Sequence, residues 1–384
     1  MLERGLRLAA GIILATLAVM AIAPELQRVT ADHGLWDFGS FVASGRAARE
    51  GLDPYGIYPL TLHVSLPGFE TWNPNLNPPI SALLFQAFDL AEPQTSLRVW
   101  SALSVALYAA AVGLLLLRYG PELGPFEAAV LLVWAFGLAG FWDTLFLGQI
   151  YIPLVLAAVL AWLLLERGRG AAAGILIGCV VAMKPNFLVW PAVLLLAGHG
   201  RPALWALATA AAISLVPILA LGPEVYRQWL ELVAADRDRG VFLTNASLGG
   251  LAARLGAPAL GTALGAALLA GLALWAWRRR PGLMEASTLA LLGALLASPL
   301  AWIHYTLFLL PVFFARWSIP AMRAPAALLI VPVPFVIDQL GREGWVQATI
   351  GSVYGWGLVL CLLVVIAGAR ARPGAVAPLA AKPA

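Results

Sequence analysis

Apolar residues do not alternate along this chain or recur in a helical stripe. They run unbroken for most of a span at a time and are interrupted by short connections that carry arginine. Such runs are clear at 8–24, 99–117, 128–142, 144–165, 203–223, 257–277 and 346–369, with a shorter one at 324–337. A helix needs about 20 apolar residues to cross the hydrocarbon core of a bilayer. Two further stretches are longer than one span. Residues 171–198 are apolar apart from Lys184, and 286–315 are apolar apart from His304.

Arginine-bearing connections mark the cytoplasmic side of a polytopic protein. Arg4 and Arg7, Arg118, Arg167 and Arg169, Arg201, Arg278–Arg280, Arg316 and Arg323, and the Arg370/Arg372 tail all belong there on this reading. Both flanks of 171–198 then lie on one side, as do both flanks of 286–315. Each stretch is therefore predicted to be a hairpin of two short helices. The tips are Lys184-Pro185-Asn186 and Ser298-Pro299-Leu300-Ala301-Trp302. The predicted fold is an all-α polytopic membrane protein of about 12 transmembrane helices. It forms a single integral membrane domain over 1–372, with both termini cytoplasmic, in the plasma (inner) membrane. Two extracytoplasmic loops are long, at about 25–95 and 224–254, and an Ala/Pro-rich tail at 373–384 reads as disordered. The N-terminal run reads as a retained first helix rather than a signal peptide, because it is long for a signal core and no small-x-small cleavage pattern precedes a soluble domain.

Composition agrees. Of 384 residues, 61% are hydrophobic and 11% charged, against about 25% charged in soluble domains. A soluble globular domain, a disordered chain and a coiled coil are excluded, and a transmembrane β-barrel is disfavoured because barrel strands alternate. The net charge of +4 comes without a long basic patch, so no nucleic-acid partner is expected. Cys179 and Cys361 lie in apolar runs without metal-ligand spacing and read as small core residues. The four histidines (33, 63, 199 and 304) are scattered, the first loop has no adjacent acidic pair, and no metal site or cofactor is expected. There is also no Gly-rich phosphate loop and no serine nucleophile elbow.

An ionisable residue at membrane depth is a functional candidate by default, which singles out Lys184 and His304. Each has a plainer reading: Lys184 snorkelling to the outer headgroups, and His304 as a hydrogen-bonded packing residue. Two short hairpins, with tips below the outer surface, would line an outward-facing cavity. In the first loop Asp37 sits among aromatics in Trp36-Asp37-Phe38-Gly39-Ser40-Phe41. It reads either as a general base toward a hydroxyl group or as a helix cap. Asp53 before Pro54 reads as a turn residue. Other outer polar residues are Asp143, Gln149, Asn245, Ser247 and Arg254. Gln149 either caps a helix or faces the cavity. Asn245-Ala246-Ser247 matches an N-glycosylation acceptor, a pattern that arises often by chance. Arg254 is either a phosphate partner, through its planar fork, or an interfacial arginine.

Four stretches together resemble glycosyltransferase family 87, within glycosyltransferase superfamily C. They are Asp37-Phe38 with Gly51-Leu52-Asp53-Pro54-Tyr55 and Asn77-Pro78-Pro79; Gly148-Gln149 with Ala172-Ala173-Gly174 and Met183-Lys184-Pro185; Asn245-Ala246-Ser247-Leu248 with Arg254-Leu255; and Ser298-Pro299 with Trp302-Ile303-His304. The family often shows two adjacent histidines after the tryptophan, and a serine before it. Here Tyr305 follows His304 and Ala301 precedes Trp302. The resemblance implies inverting, metal-independent transfer of a hexose, mannose first, from a polyprenyl-phosphate sugar to a hydroxyl of a glycolipid or glycan acceptor at the extracytoplasmic face. By matching position Asp37 would be the base. Lys184, His304 and Arg254 would hold the donor phosphate, and Gln149, Asn245, Ser247, Trp302, Tyr305 and Tyr55 would line the substrate cavity. A lipid or solute transporter using the same cavity is the alternative, since broken helices at the midplane suit transport as well. A non-catalytic membrane scaffold leaves the polar constellation unexplained.

Overall fold

A computed structural model describes residues 2–32, 34–66, 69–235 and 238–370. The predicted disordered tail at 373–384 lies outside them. The fold is an all-α polytopic membrane protein, and among the described residues six helices are long and apolar enough to cross a membrane by length and composition. They begin with α1 (Leu2–Ala31). After the first loop comes α4 (Pro93–Leu123), and then α5 (Pro125–Gly137) continues almost directly into α6 (Ala139–Leu147). Further along are α10 (Gly200–Leu221), α13 (Pro258–Arg279), and α18 (Gly344–Ala348) leading into α19 (Val353–Arg370). Large apolar side chains such as Leu117, Leu219 and Trp277 stay exposed on these helices, as a lipid-facing rim requires.

Inside that rim lie the shorter apolar helices. α7 (Tyr151–Glu166) precedes the first hairpin, which is α8 (Gly170–Met183), a 3₁₀ turn at Pro185–Leu188 and α9 (Val189–Leu196). The second hairpin is α14 (Leu283–Leu296), a loop, a 3₁₀ turn at Ile303–Leu309 and α15 (Leu310–Arg316). Both predicted tips fall where the helices break. At 14 residues each, α8 and α14 rise about 21 Å, short of a core of about 30 Å. α14 is buried from Ala286 to its end at Leu296.

Two boundaries differ from expectation. The first break was predicted near Asp143, because a charge ends an apolar run, yet α6 continues through it to Leu147 and the chain turns at Gly148-Gln149-Ile150. Asp143 remains in the helix because it is paired there. The run 324–337 is also not one span but two short helices, α16 (Arg323–Leu328) and α17 (Val333–Ile337). Pro325, Pro332 and Pro334 lie in this run, and a proline ring opposes an uninterrupted helix ladder.

The first loop is folded. It holds α2 (Trp36–Arg49), an antiparallel hairpin of β1 (Leu62–Leu66) and β2 (Phe69–Asn73), and α3 (Ile80–Phe85) with a 3₁₀ turn at Gln86–Asp89. The β-hairpin was not anticipated. In the second loop α11 (Glu224–Ala235) precedes a 3₁₀ turn at Asp238–Val241 and α12 (Leu248–Arg254).

Candidate active site

The site begins with one face of α2. Asp37, Ser40 and Ser44 follow a spacing of three and four residues, so they share a face. The segment Asn73-Pro74-Asn75-Leu76-Asn77-Pro78 runs along that face. The Asn73 amide donates to Asp37 Oδ1. Ser40 Oγ donates to the Asn73 carbonyl (2.6 Å) and accepts from Leu62 N (3.0 Å), which fixes the β-hairpin to the helix. Asn75 Nδ2 donates to Ser44 Oγ (3.0 Å) and Ser81 Oγ (2.9 Å). Asn75 Oδ1 accepts from the Asn77 backbone and side chain, and the freed Asn77 Oδ1 accepts from Lys184 Nζ. Every second residue from 73 to 77 is therefore an asparagine with work to do. The neighbouring face of α2 is anchored by rings, with Phe38, Phe41, Phe85, Phe88 and Trp100 packed on one another at centroid distances of 5.0–6.5 Å.

Asp37 does not cap its helix. The cap position is Leu35, without a side-chain hydrogen bond, and both Asp37 oxygens accept from elsewhere: Oδ1 from Asn73 and Oδ2 from Gln149 Nε2. The preceding Trp36 sits at φ 46°, an unfavourable left-handed conformation of a kind that concentrates at functional sites. Burial pushes the Asp37 carboxyl up to about 6, while Arg239 and the two amide hydrogen bonds pull against that rise. Arg239 reaches it indirectly: its Nη1 donates to Asn73 Oδ1 and its Nη2 to the Trp72 carbonyl (2.6 Å).

Gln149 arrives through a tight turn. Gly148 ends α6 in the left-handed conformation (φ 66°), and Gln149 N reaches back to the Thr144 carbonyl (2.9 Å), the arrangement of a glycine helix stop. A Cβ at Gly148 would lie 2.6 Å from Phe38 Cβ. Trp100 Nε1 holds the Gln149 carbonyl (3.2 Å).

Lys184 comes from the first hairpin tip. Its ammonium lies 4.2 Å from the Tyr151 ring centre and 5.4 Å from that of Tyr305, cation–π contacts that offset part of its desolvation. Asp37 is within Coulombic reach of it. Tyr151 joins the two hairpins, because its ring also packs on His304 (4.2 Å) and Tyr305 (4.6 Å). His304 Nδ1 faces Asp143 Oδ2 at 3.2 Å. The sequence-predicted Asp37, Gln149, Lys184, His304 and Tyr305 thus converge.

The remaining predicted residues form the frame. Tyr55 donates to the Asn77 carbonyl (3.1 Å) and so sits behind the Lys184 partner. Asn245 is fully buried and splints the second tip: Oδ1 accepts from Ala301 N (2.9 Å), and Nδ2 donates to Gly240 and Pro299 carbonyls. That geometry leaves its amide inaccessible for glycosylation. Ser247 caps α12 through Gly250 N (3.0 Å). Trp302 is half-buried, bridged to Asn245 and edge-on to Phe242. Arg254 donates through all three nitrogens inside the protein, to Ser352 Oγ (2.6 Å), Phe242 O (2.9 Å) and Asn245 O (2.9 Å). Its fork is thus occupied with the Asn245 turn instead of standing open for a phosphate. An open outward cavity was also expected, whereas Asp37, Gln149, Lys184 and His304 are only 6, 7, 8 and 2% exposed, so the cluster is packed closed.

Sequence reasoning gave no site role to Asn73, Asn77, Tyr151 and Arg239, although Asn77 lies in one of the stretches that carry the family resemblance. The asparagine alternation was a readable signal for the first two. Tyr151 was hidden in an apolar run, and Arg239 in a run of alternating charges. Among the described residues, no group of three or more His, Cys, Asp or Glu is placed to hold a metal ion.

The glycosyltransferase family 87 model matches residues 75–299, a little over half of the chain. The chain belongs to glycosyltransferase family 87. It is therefore a membrane glycosyltransferase. Comparison with curated proteins and with solved structures gives no significant match. The family 87 match contains Lys184, Gln149, Asn245 and Arg254, whereas Asp37 lies well before its start and His304 five residues past its end. Their place beside the matched residues comes from the packing described above.

Proposed function

We propose that this family 87 enzyme transfers a hexose, mannose first, from a polyprenyl-phosphate sugar to an acceptor hydroxyl at the extracytoplasmic face, with inversion and without a metal. The observation that carries the reading is a buried carboxylate on the folded first loop, Asp37, gathered with a buried cation, Lys184, of the first hairpin tip. In a direct displacement the acceptor oxygen attacks the anomeric carbon and gives its proton to Asp37. The bond from that carbon to the phosphate oxygen breaks, and polyprenyl phosphate leaves. A phosphate needs no strong acid to depart, so a single carboxylate suffices where glycosidases use a pair. In this reading Lys184 and His304 stabilise charge growing on the leaving phosphate. A carboxyl raised to about 6 by burial is ionised at neutral pH, yet takes a proton more readily than an ordinary aspartate.

The test is single-turnover transfer from radiolabelled polyprenyl-phosphate mannose to membrane-lipid extract by the protein in nanodiscs. Wild type is expected to move label, and Asp37→Asn to lose roughly 10²–10⁴-fold in rate while still binding donor. Equal rates would remove Asp37 as base. Failure with mannose and then with other polyprenyl-phosphate sugars would remove the donor class.

A further inference from the structure

A second buried charged group stands behind His304 and has no part in the transfer as derived above. Arg28 Nη2 of α1 lies 2.6 Å from Asp143 Oδ1 of α6, and Arg28 Nη1 lies 3.3 Å from Glu25 Oε2. Glu25 Oε1 in turn accepts from Val333 N (2.6 Å). Glu25 and Asp143 are buried, and the Arg28 side chain is nearly so. Burying a row of charges is costly unless each is paired, and replacing such a row with apolar residues often costs nothing in stability. The row ends on Asp143 Oδ2, which faces His304 Nδ1 at 3.2 Å. The other ring nitrogen of His304, Nε2, is buried and has no hydrogen-bond partner. Gly140 allows this approach: the second tip lies so close to α6 that a Cβ there would be 2.7 Å from the Ile303 carbonyl and 3.1 Å from His304 Cα.

We infer that Asp143, held by Arg28 and Glu25, is a positioning residue that keeps the proton of neutral His304 on Nδ1 and leaves Nε2 directed toward the reacting groups. A carboxylate accepts only, so the ring nitrogen facing it must donate. Nε2 is then the one basic nitrogen of the ring. When an anionic phosphate binds, one proton is taken up from bulk water along with it, onto Nε2, which becomes a donor toward a phosphate oxygen while Asp143 compensates the new charge. Only this last step rests on the proposed donor.

The test reads the tautomer directly. The chain has four histidines, so ¹⁵N-histidine-labelled protein in nanodiscs gives few signals, and His304→Gln assigns the one in question. Wild type is expected to show the Nδ1–H tautomer. In Asp143→Asn, Arg28 claims the amide oxygen and the NH₂ turns to His304. Nδ1 must then accept, and the proton is expected on Nε2. In that variant kcat should fall on the order of 10- to 100-fold, as when the partner orienting a working histidine is lost, with KM for the acceptor little changed. A wild-type proton on Nε2, or an unchanged tautomer in Asp143→Asn, overturns the inference. If Asp143→Asn does not fold, the wild-type tautomer alone decides. Adding polyprenyl phosphate to wild type should protonate both nitrogens. If the tautomers behave as stated and this step does not occur, the donor proposal fails and the positioning role stands.

Discussion

At the scale of the residue, Asp37 couples activity and stability to pH in opposite senses. As a base it must be ionised, so kcat/KM should fall tenfold per unit below an apparent value near 6, the level to which burial raises it. The Asn73 hydrogen bond works to lower that value. Asn73→Ala removes it and cuts the link from Arg239 through the Asn73 side chain, so the acid limb should move to higher pH. A limb that stays put or moves down belongs to another group. For stability the sign reverses. The folded carboxyl titrates above its ordinary 3.8, so the native state binds more protons than the unfolded one between about 4 and 6. The contribution of Asp37 is fully present below that window and is lost as pH rises through it. Relative to wild type, Asp37→Asn should therefore melt higher at pH 7 than at pH 5, by at most about 1.3 kcal/mol between those two values, out of about 3 kcal/mol over the whole window. Thermal melts at both pH values check it, and a constant difference would show that the carboxyl is not raised in the fold.

At the scale of the element, the apolar runs predicted the membrane helices because in lipid only helices and closed barrels satisfy the backbone, and barrel strands alternate where these runs do not. They predicted the hairpin tips because only there do Lys184 and His304 interrupt the runs. What hydropathy could not see was pairing. Asp143 was read as the end of a span since an unpaired carboxylate cannot stay at depth, but Arg28 and His304 pair it from helices distant in sequence. Likewise Arg254 looked like a free fork because its three acceptors, at 242, 245 and 352, are invisible to local reading. The β-hairpin left only a five-residue alternation, too short to stand out. A tertiary contact also makes the α6–α7 turn the most sensitive element of the site. Gly148→Ala imposes a left-handed alanine, costing about 1–2 kcal/mol, and drives its methyl into Phe38, which adjoins Asp37. It should lower the melting temperature and separate Gln149 from the carboxylate, so transfer should fall more than stability alone explains. Gly113→Ala in α4 is the control. Nothing lies within 4 Å of the new methyl, and an alanine in mid-helix should stabilise by about 0.5–1 kcal/mol with activity unchanged. Equal losses in both variants would sink the role assigned to the turn.

At the scale of the whole molecule, the site is built where the folded first loop closes over the two hairpin tips. Which side of the membrane that is decides the chemistry open to it. On the cytoplasmic side soluble nucleotide sugars would be within reach. On the other side the sugar must arrive on a lipid. The proposed side rests on charge: on the twelve-span reading, arginines at 167–169 and 278–280 lie at the end opposite the first loop, and such clusters favour the cytoplasmic side. Orientation is measurable with single cysteines after Cys179 and Cys361, one half-buried and one buried, are replaced. Glu70 on β2 and Arg167 after α7 are both exposed. In intact cells a membrane-impermeant maleimide should label Glu70→Cys at once and Arg167→Cys only after permeabilisation. The reverse pattern would put Asp37 and Lys184 in reach of the cytoplasm and withdraw the reason for a lipid-linked donor. The expected pattern would leave the enzyme dependent on a donor held in the bilayer, with its phosphate at the depth of the shortened hairpins.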